Sequence, residues 1–163
     1  MKNRRQDNRA ARWRLFLISG GIAVLDRLTK TWAELRLARP RTLIQGFVNL
    51  RLTTNTGGAF SLMSGHGWLM TFVTAAILIA VSLWYLHTKP EDAWSRAGAS
   101  LTLGGGLGNL YDRVVYGEVT DFIELAFMRF PVFNVADIAV VAGVICLAIG
   151  ILRGGSGHAA LHG

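Results

Sequence analysis

The stretch WLMTFVTAAILIAVSLWYLH, residues 68–87, decides the fold class, because it contains no Asp, Glu, Lys or Arg. A helix crossing a bilayer needs about 20 mostly apolar residues, and in lipid it must satisfy every backbone N–H and C=O internally. Working outward, three more segments approach that length. The first, residues 13–35, is apolar from Leu15 to Leu25 and is then interrupted by Asp26, Arg27 and Lys30. The third, residues 97–113, is rich in glycine, with Gly98, Gly104, Gly105, Gly106 and Gly108. The fourth, residues 134–152, carries Asp137 near its start. Small residues let helices approach closely in lipid, so the glycines read as helix–helix contacts. The expectation is one integral membrane domain over residues 1–163, mainly α-helical, with four transmembrane helices.

Orientation follows from the head. Lys2, Arg4, Arg5, Arg9, Arg12 and Arg14 precede the first apolar run, a pattern that holds the N-terminus in the cytoplasm. Four spans return the C-terminus to that side. The 88–95 loop with Lys89 is then cytoplasmic, and two longer connections, 36–67 and 114–133, face outward. Arg36, Arg39, Arg41 and Arg51 also lie outward and weaken the bias. No small-x-small cleavage site follows the first apolar run, so it reads as an uncleaved span rather than a signal peptide. In the first outer connection Val48, Leu50 and Leu52 alternate with Asn49, Arg51 and Thr53, the period of a strand with one apolar face. Gly57-Gly58 and Gly65-His66-Gly67 mark turns. A small β-sheet element lying at the outer membrane surface is expected.

Composition excludes several classes. Hydrophobic residues make up 52% of the 163 and charged residues 17%, against roughly 25% charged in a soluble domain. A net charge of +7 is compatible with nucleic-acid binding, but its concentration in the head, beside apolar spans, argues for no nucleic-acid partner. Cys146 is the sole cysteine. No intramolecular disulfide can form, and the residue reads as small apolar packing.

Ionisable residues inside a membrane cost ~2.5–3.5 kcal/mol or more each and are functional candidates by default. In this topology Asp26 and Lys30, then Asp112 and Arg113, then Asp121, then Asp137 all fall toward the outer face, and the inner halves of the spans hold no such group. Asp26 and Lys30, spaced i,i+4, meet on one helix face, as an internal ion pair or in contact with substrate. Arg113 reads as a bilayer-edge anchor or a site residue. Asp121 reads as a capping or turn residue, or as a carboxylate whose pKa is raised by apolar surroundings. Asp137 reads as charge complementing a helix N-terminus or as chemistry. No HExxH motif and no Ser with a paired base is present, so metal and serine catalysis are disfavoured. A close pair of aspartates remains, in which one carboxyl keeps a proton and the other activates water. A proton-pathway protein is the competing reading, although the charges do not continue to the inner face. A non-catalytic scaffold would leave the carboxylates unexplained.

Five blocks in order carry a resemblance: Asp26-Arg-Leu-Thr-Lys30, Asn55-Thr-Gly-Gly-Ala-Phe-Ser61, Gly104-Gly-Gly-Leu-Gly-Asn-Leu-Tyr-Asp-Arg113, Val119-Thr-Asp-Phe122 and Phe133-Asn-Val-Ala-Asp137. Together, over residues 15–152, the chain resembles the lipoprotein signal peptidase (signal peptidase II) family. That family commonly has Ala where this chain has Gly58 and Gly106. The resemblance implies an aspartic endopeptidase of the bacterial inner membrane, without cofactor or metal. Its substrate is a prolipoprotein with a diacylglyceryl cysteine, cut on the N-terminal side of that cysteine. The resemblance implies Asp121 and Asp137 as the catalytic pair. It implies Asn55, Asn109, Arg113 and Asn134 as residues that shape the site or touch substrate, Asp26 and Lys30 as supporting residues near it, and Asp112 and Gly108 as structural ones. Membrane lipids and the lipidated substrate are the expected partners, and a monomer the expected state. The strand after Asn49 and the 122–133 stretch are expected to grip substrate.

Overall fold

A computed structural model describes residues 2–56, 67–88, 90 and 92–159, with side chains described between 13 and 153. The turn at Gly57-Gly58, the rest of the block to Ser61, His66 and Lys89 lie outside the described residues. So do the side chains of the basic head and of the Gly-rich tail.

The order is α1 (Lys2–Arg36), β1 (Arg41–Ile44), β2 (Val48–Asn55), α2 (Gly67–Thr88), α3 (Ala93–Tyr116), β3 (Val119–Leu125) and α4 (Val135–Ala159). Among the described residues, two helices are long and apolar enough to cross a membrane by length and composition, over 68–88 (mean hydropathy 2.1) and 135–153 (2.7). The sequence expectation of four spans is met on that measure by α2 and α4. The charges of α1 and α3 lower their averages, yet these helices turn apolar side chains outward and bury three of the charges. Phe16, Leu17, Val24 and Leu28 of α1 and Val114 of α3 are exposed, whereas Asp26, Lys30 and Asp112 are fully buried. The third helix is also longer than 97–113. Asp92 starts it by accepting the Ser95 N–H at 2.7 Å, and Gly117, at φ 79°, stops it with an N–H to the Arg113 carbonyl.

The α3 helix packs against the other three, and its glycines show how. A Cβ on Gly98 would lie 2.6 Å from the Leu147 nitrogen of α4. On Gly104 it would lie 2.7 Å from Ile22 Cβ of α1, and on Gly108 2.5 Å from Asp26 Oδ2. Only hydrogen fits at such separations, so backbones meet where larger residues would hold them apart. Gly106 differs, since its Cβ would meet only the flexible end of Leu78 on α2.

The three strands form an antiparallel sheet in the order β1-β2-β3. The strand expected at 48–53 is present as β2 and runs on to Asn55. Residues 119–125, expected as part of a connection, form β3 instead. Leu50 pairs with Ile123 and Thr53 with Asp121, so Arg51 and Leu52 oppose Phe122 alone. This bulge reverses the alternation of β2. Before it, even-numbered residues turn inward; after it, Thr53 and Asn55 do, and Thr54 is exposed. Ala33 and Leu37 of α1 pack with Leu50 and Phe122 beneath the sheet, so the strands rest on the end of α1.

Candidate active site

Residues 130–134 return beside β3. Phe133 exchanges backbone hydrogen bonds with Ile123 (2.8 and 3.0 Å), which delivers Asn134 to the start of α4. Asn134 is its N-cap: Asn134 Oδ1 accepts the Asp137 N–H at 2.9 Å, while Asp137 Oδ2 accepts the Asn134 N–H at 3.2 Å. This reciprocal pair is a capping box written with Asn and Asp. The sequence reading of Asp137 as a helix N-terminal charge is therefore met, and the same geometry leaves Asp137 Oδ1 free to accept from Asn109 Nδ2 at 2.8 Å.

Asp121 lies in mid-strand, not in a turn or cap, and is 2% exposed. Its Oδ1 accepts from Asn134 Nδ2 at 2.6 Å and its Oδ2 from Asn55 Nδ2 at 3.2 Å. The bulge is what turns Asn55 to the face that carries Asp121. Burial, and secondly the charge of Asp137, push the Asp121 carboxyl up to about 7. Asn134 Nδ2 also donates to Asn109 Oδ1 at 3.1 Å. The two carboxylates are thus joined by Asn134 and Asn109 in series. Arg113 stands by them half-buried, and its charge interacts with Asp137, Asp121 and Asp112.

Both carboxylates, with Asn55, Asn109 and Arg113, line one end of a cavity of about 640 Å³. Away from them the walls are apolar, with Ile77 and Leu78 from α2 and Val140, Val141 and Ile145 from α4. Phe130, Pro131, Val132 and Phe133 border it. Of the 122–133 stretch expected to grip substrate, Phe122 is 5% exposed and belongs to the packing beneath the sheet. Among the described residues, no three His, Cys, Asp or Glu side chains converge in a way that could hold a metal ion.

On the far side of Asn109 lies a second cluster. Lys30, wholly buried, reaches Asp26 Oδ2 at 2.7 Å, Asp112 Oδ2 at 2.8 Å and Asn109 Oδ1 at 2.9 Å. The i,i+4 ion pair expected of Asp26 and Lys30 is present, and the structure adds Asp112 to it. Arg27 adds a second cation, bonding Asp112 at 3.1 Å and Glu34 at 2.6 Å. Sequence reading missed Arg27 and Glu34, because no local spacing links them to Asp112 or to Thr120, whose hydroxyl donates to Glu34.

A mainly helical protein with apolar outward faces, and two carboxyls bridged by amides at the end of an apolar cavity, defines a class: a membrane hydrolase of the aspartic type. A family model described as signal peptidase (SPase) II matches residues 18–153. A lipoprotein signal peptidase from Syntrophomonas wolfei is 41% identical over 149 residues, covering 88% of this chain and 93% of that one. One from Clostridium novyi is 40% identical over 137 residues, covering 81% and 93%. Two solved bacterial membrane enzyme structures, determined by the in meso method, superpose with TM-scores of 0.81 and 0.74 at 30% and 31% identity. They cover 88% and 86% of this chain and 90% and 93% of theirs. The chain belongs to the signal peptidase II family of bacterial membrane aspartic peptidases.

Proposed function

We propose that the protein removes the signal peptide from diacylglyceryl-modified bacterial prolipoproteins, cutting on the N-terminal side of the lipidated cysteine. Water is activated by Asp121 and Asp137. The observation that carries this reading is the shared cavity end, where a buried carboxyl with a pKa near 7 and a half-buried one are tied together by Asn109 and Asn134.

Two carboxyls close together in a poorly solvated site do not both ionise, so the pair holds one proton. The ionised member takes a proton from water as the oxygen attacks the scissile carbonyl carbon. The protonated member gives its proton to the carbonyl oxygen, forming a neutral tetrahedral diol. Collapse returns that proton, breaks the C–N bond and protonates the leaving amine. Arg113 and Asn55 are the substrate-orienting groups, one by charge and the other by an amide that can both donate and accept.

The topology belongs to the same proposal. All four helices cross the inner membrane, both termini are cytoplasmic, and the sheet lies at the periplasmic surface. The outward apolar side chains of α1 and α3 support this reading, as does the absence of charge in the 68–88 span. Acyl chains hold the modified cysteine at that surface, level with the carboxyls, and the apolar walls between α2 and α4 suit the signal segment. The protein acts as a monomer.

The test is a cleavage assay in lipid with a diacylglyceryl-modified prolipoprotein, comparing the parent with Asp121→Asn and Asp137→Asn. Cleavage by the parent and none by either folded variant is expected. Full activity in either variant would remove that residue from the pair, and Asp112 and Asp26 would be examined next.

A further inference from the structure

An asparagine amide is nearly symmetric in shape but not in chemistry, because one end accepts hydrogen bonds and the other donates them. Which end meets Asp137 matters, since a carboxylate can be held by N–H but not by C=O. We propose that Lys30 is a positioning residue that fixes the direction of the Asn109 amide, so that an N–H faces Asp137.

The partners of Asn109 leave one arrangement. Asn109 Oδ1 receives Lys30 Nζ at 2.9 Å and Asn134 Nδ2 at 3.1 Å, and Nδ2 donates to Asp137 Oδ1 at 2.8 Å. Asn134 cannot reverse to accommodate a reversed Asn109, because its own Oδ1 is committed to the Asp137 N–H. Turning Asn109 over would set its NH2 against the ammonium and the Asn134 NH2, and its oxygen against a carboxylate oxygen. All three contacts would become repulsive.

The surroundings of Lys30 argue the same point. An ammonium has three N–H groups, and the two ion pairs of Lys30 are with Asp26 and Asp112. The third N–H is directed to a neutral amide oxygen. Each carboxylate in turn holds the neighbour of a dyad residue. Asp26 Oδ1 accepts the Ala136 N–H at 2.9 Å, one residue before Asp137. Asp112 Oδ2 accepts the Thr120 N–H at 3.3 Å, one residue before Asp121. From one buried nitrogen, contacts run to Asn109 and to the backbone beside both carboxyls.

The inference rests on the dyad reading above, and the experiment separates their failures. Lys30→Met and Lys30→Gln are each made with Asp26→Asn, so that one positive and one negative charge are lost together. Met and Gln have similar volumes, but only Gln can donate to Asn109 Oδ1. Displacement of a reacting group by about 1 Å costs on the order of 10²-fold in rate. The Met pair should lose about that much kcat with KM within about twofold of the parent, and the Gln pair should recover most of the loss. Equal kcat per folded molecule in the two pairs overturns the proposal. If neither pair folds, the parent decides. Its Asn109 side-chain NH2 resonance, identified by its absence in Asn109→Ser, should move as the dyad titrates; a resonance that does not move overturns the assigned direction. Activity remaining in Asp121→Asn or Asp137→Asn would instead count against the dyad itself.

Discussion

On one side of Asn109, Arg27 and Lys30 offset the two buried carboxylates, Asp26 and Asp112, while the third carboxylate, Glu34, is also open to solvent, and nearly every buried oxygen and nitrogen there has a protein partner. On the other side, Asp121 and Asp137 share an open cavity with Arg113. Both groups contain two aspartates, the first on α1 and α3 and the second on β3 and α4. The difference is compensation. A balanced cluster holds elements together and leaves nothing over for a ligand. An under-compensated one keeps a proton that it can give away.

The largest expected difference between the two is in rate. Asp121→Asn and Asp137→Asn should each lower cleavage by about 10²–10⁴-fold while losing only about 1–3 kcal/mol of stability, for the one hydrogen bond that an amide NH2 cannot accept. Loss of activity and stability in proportion would erase the distinction between the clusters. Asp26→Ala is the opposite case. Removing one partner of a buried ion pair costs about 3–5 kcal/mol, read as thermal unfolding in detergent, and kcat per folded molecule should fall far less than in the two dyad variants. Next in size is Gly108→Ala, whose methyl would press on Asp26 Oδ2. It should destabilise by about 1–3 kcal/mol, whereas Gly106→Ala, facing movable Leu78, should cost under about 1 kcal/mol. Equal costs would mean that α3 does not approach α1 as closely as described.

A smaller and graded effect is expected from pH. The Asp121 carboxyl is raised from 3.8 to about 7 in the folded protein. The folded state therefore binds this proton more tightly than the unfolded one. The stability it contributes is fully present below about pH 4 and is lost as pH rises through about 7. The rate should follow the proton, with kcat/KM falling about tenfold per unit above pH 7, and Asp121→Asn should flatten the stability curve over the same window. A parent rate that stays level to pH 9 would place the working proton elsewhere. The smallest effect belongs to the exposed pair of Arg51 and Glu124 at 2.8 Å. Arg51→Ala should change stability by about 0–1 kcal/mol, and a larger loss would show the sheet surface to be less solvated than its exposure indicates.

Much of this comparison was legible in the sequence, and the illegible parts share a cause. Hydropathy separated the helices, and the position of each aspartate along them or in the connection after α3 gathered the carboxyls at one end. The Asp26–Lys30 pair and the Asp137 cap follow from spacings of four and three, which local geometry fixes. β3 was hidden because Val119, Asp121 and Ile123 alternate with Thr120, Phe122 and Glu124. Neither set is uniformly apolar, since Phe122 packs beneath the sheet while Asp121 faces the cavity. Lys30 meeting Asp112 and Asn109 spans about half the chain, and no periodicity encodes a contact at that distance. The glycines of α3 announced close packing but not which helix each one meets.

The bulge at Arg51 and Leu52 has a consequence for how this chain tolerates change. A strand pair has a parity, and one inserted residue flips it for everything downstream. Substitutions at either bulged position alter a single side chain. Removing one residue at the bulge would close it and leave Thr53 opposite Asp121, whereas shortening β2 by one residue after the bulge would leave the composition almost untouched and yet point Asn55 away from Asp121, so in that half of the strand length is a stricter constraint than identity.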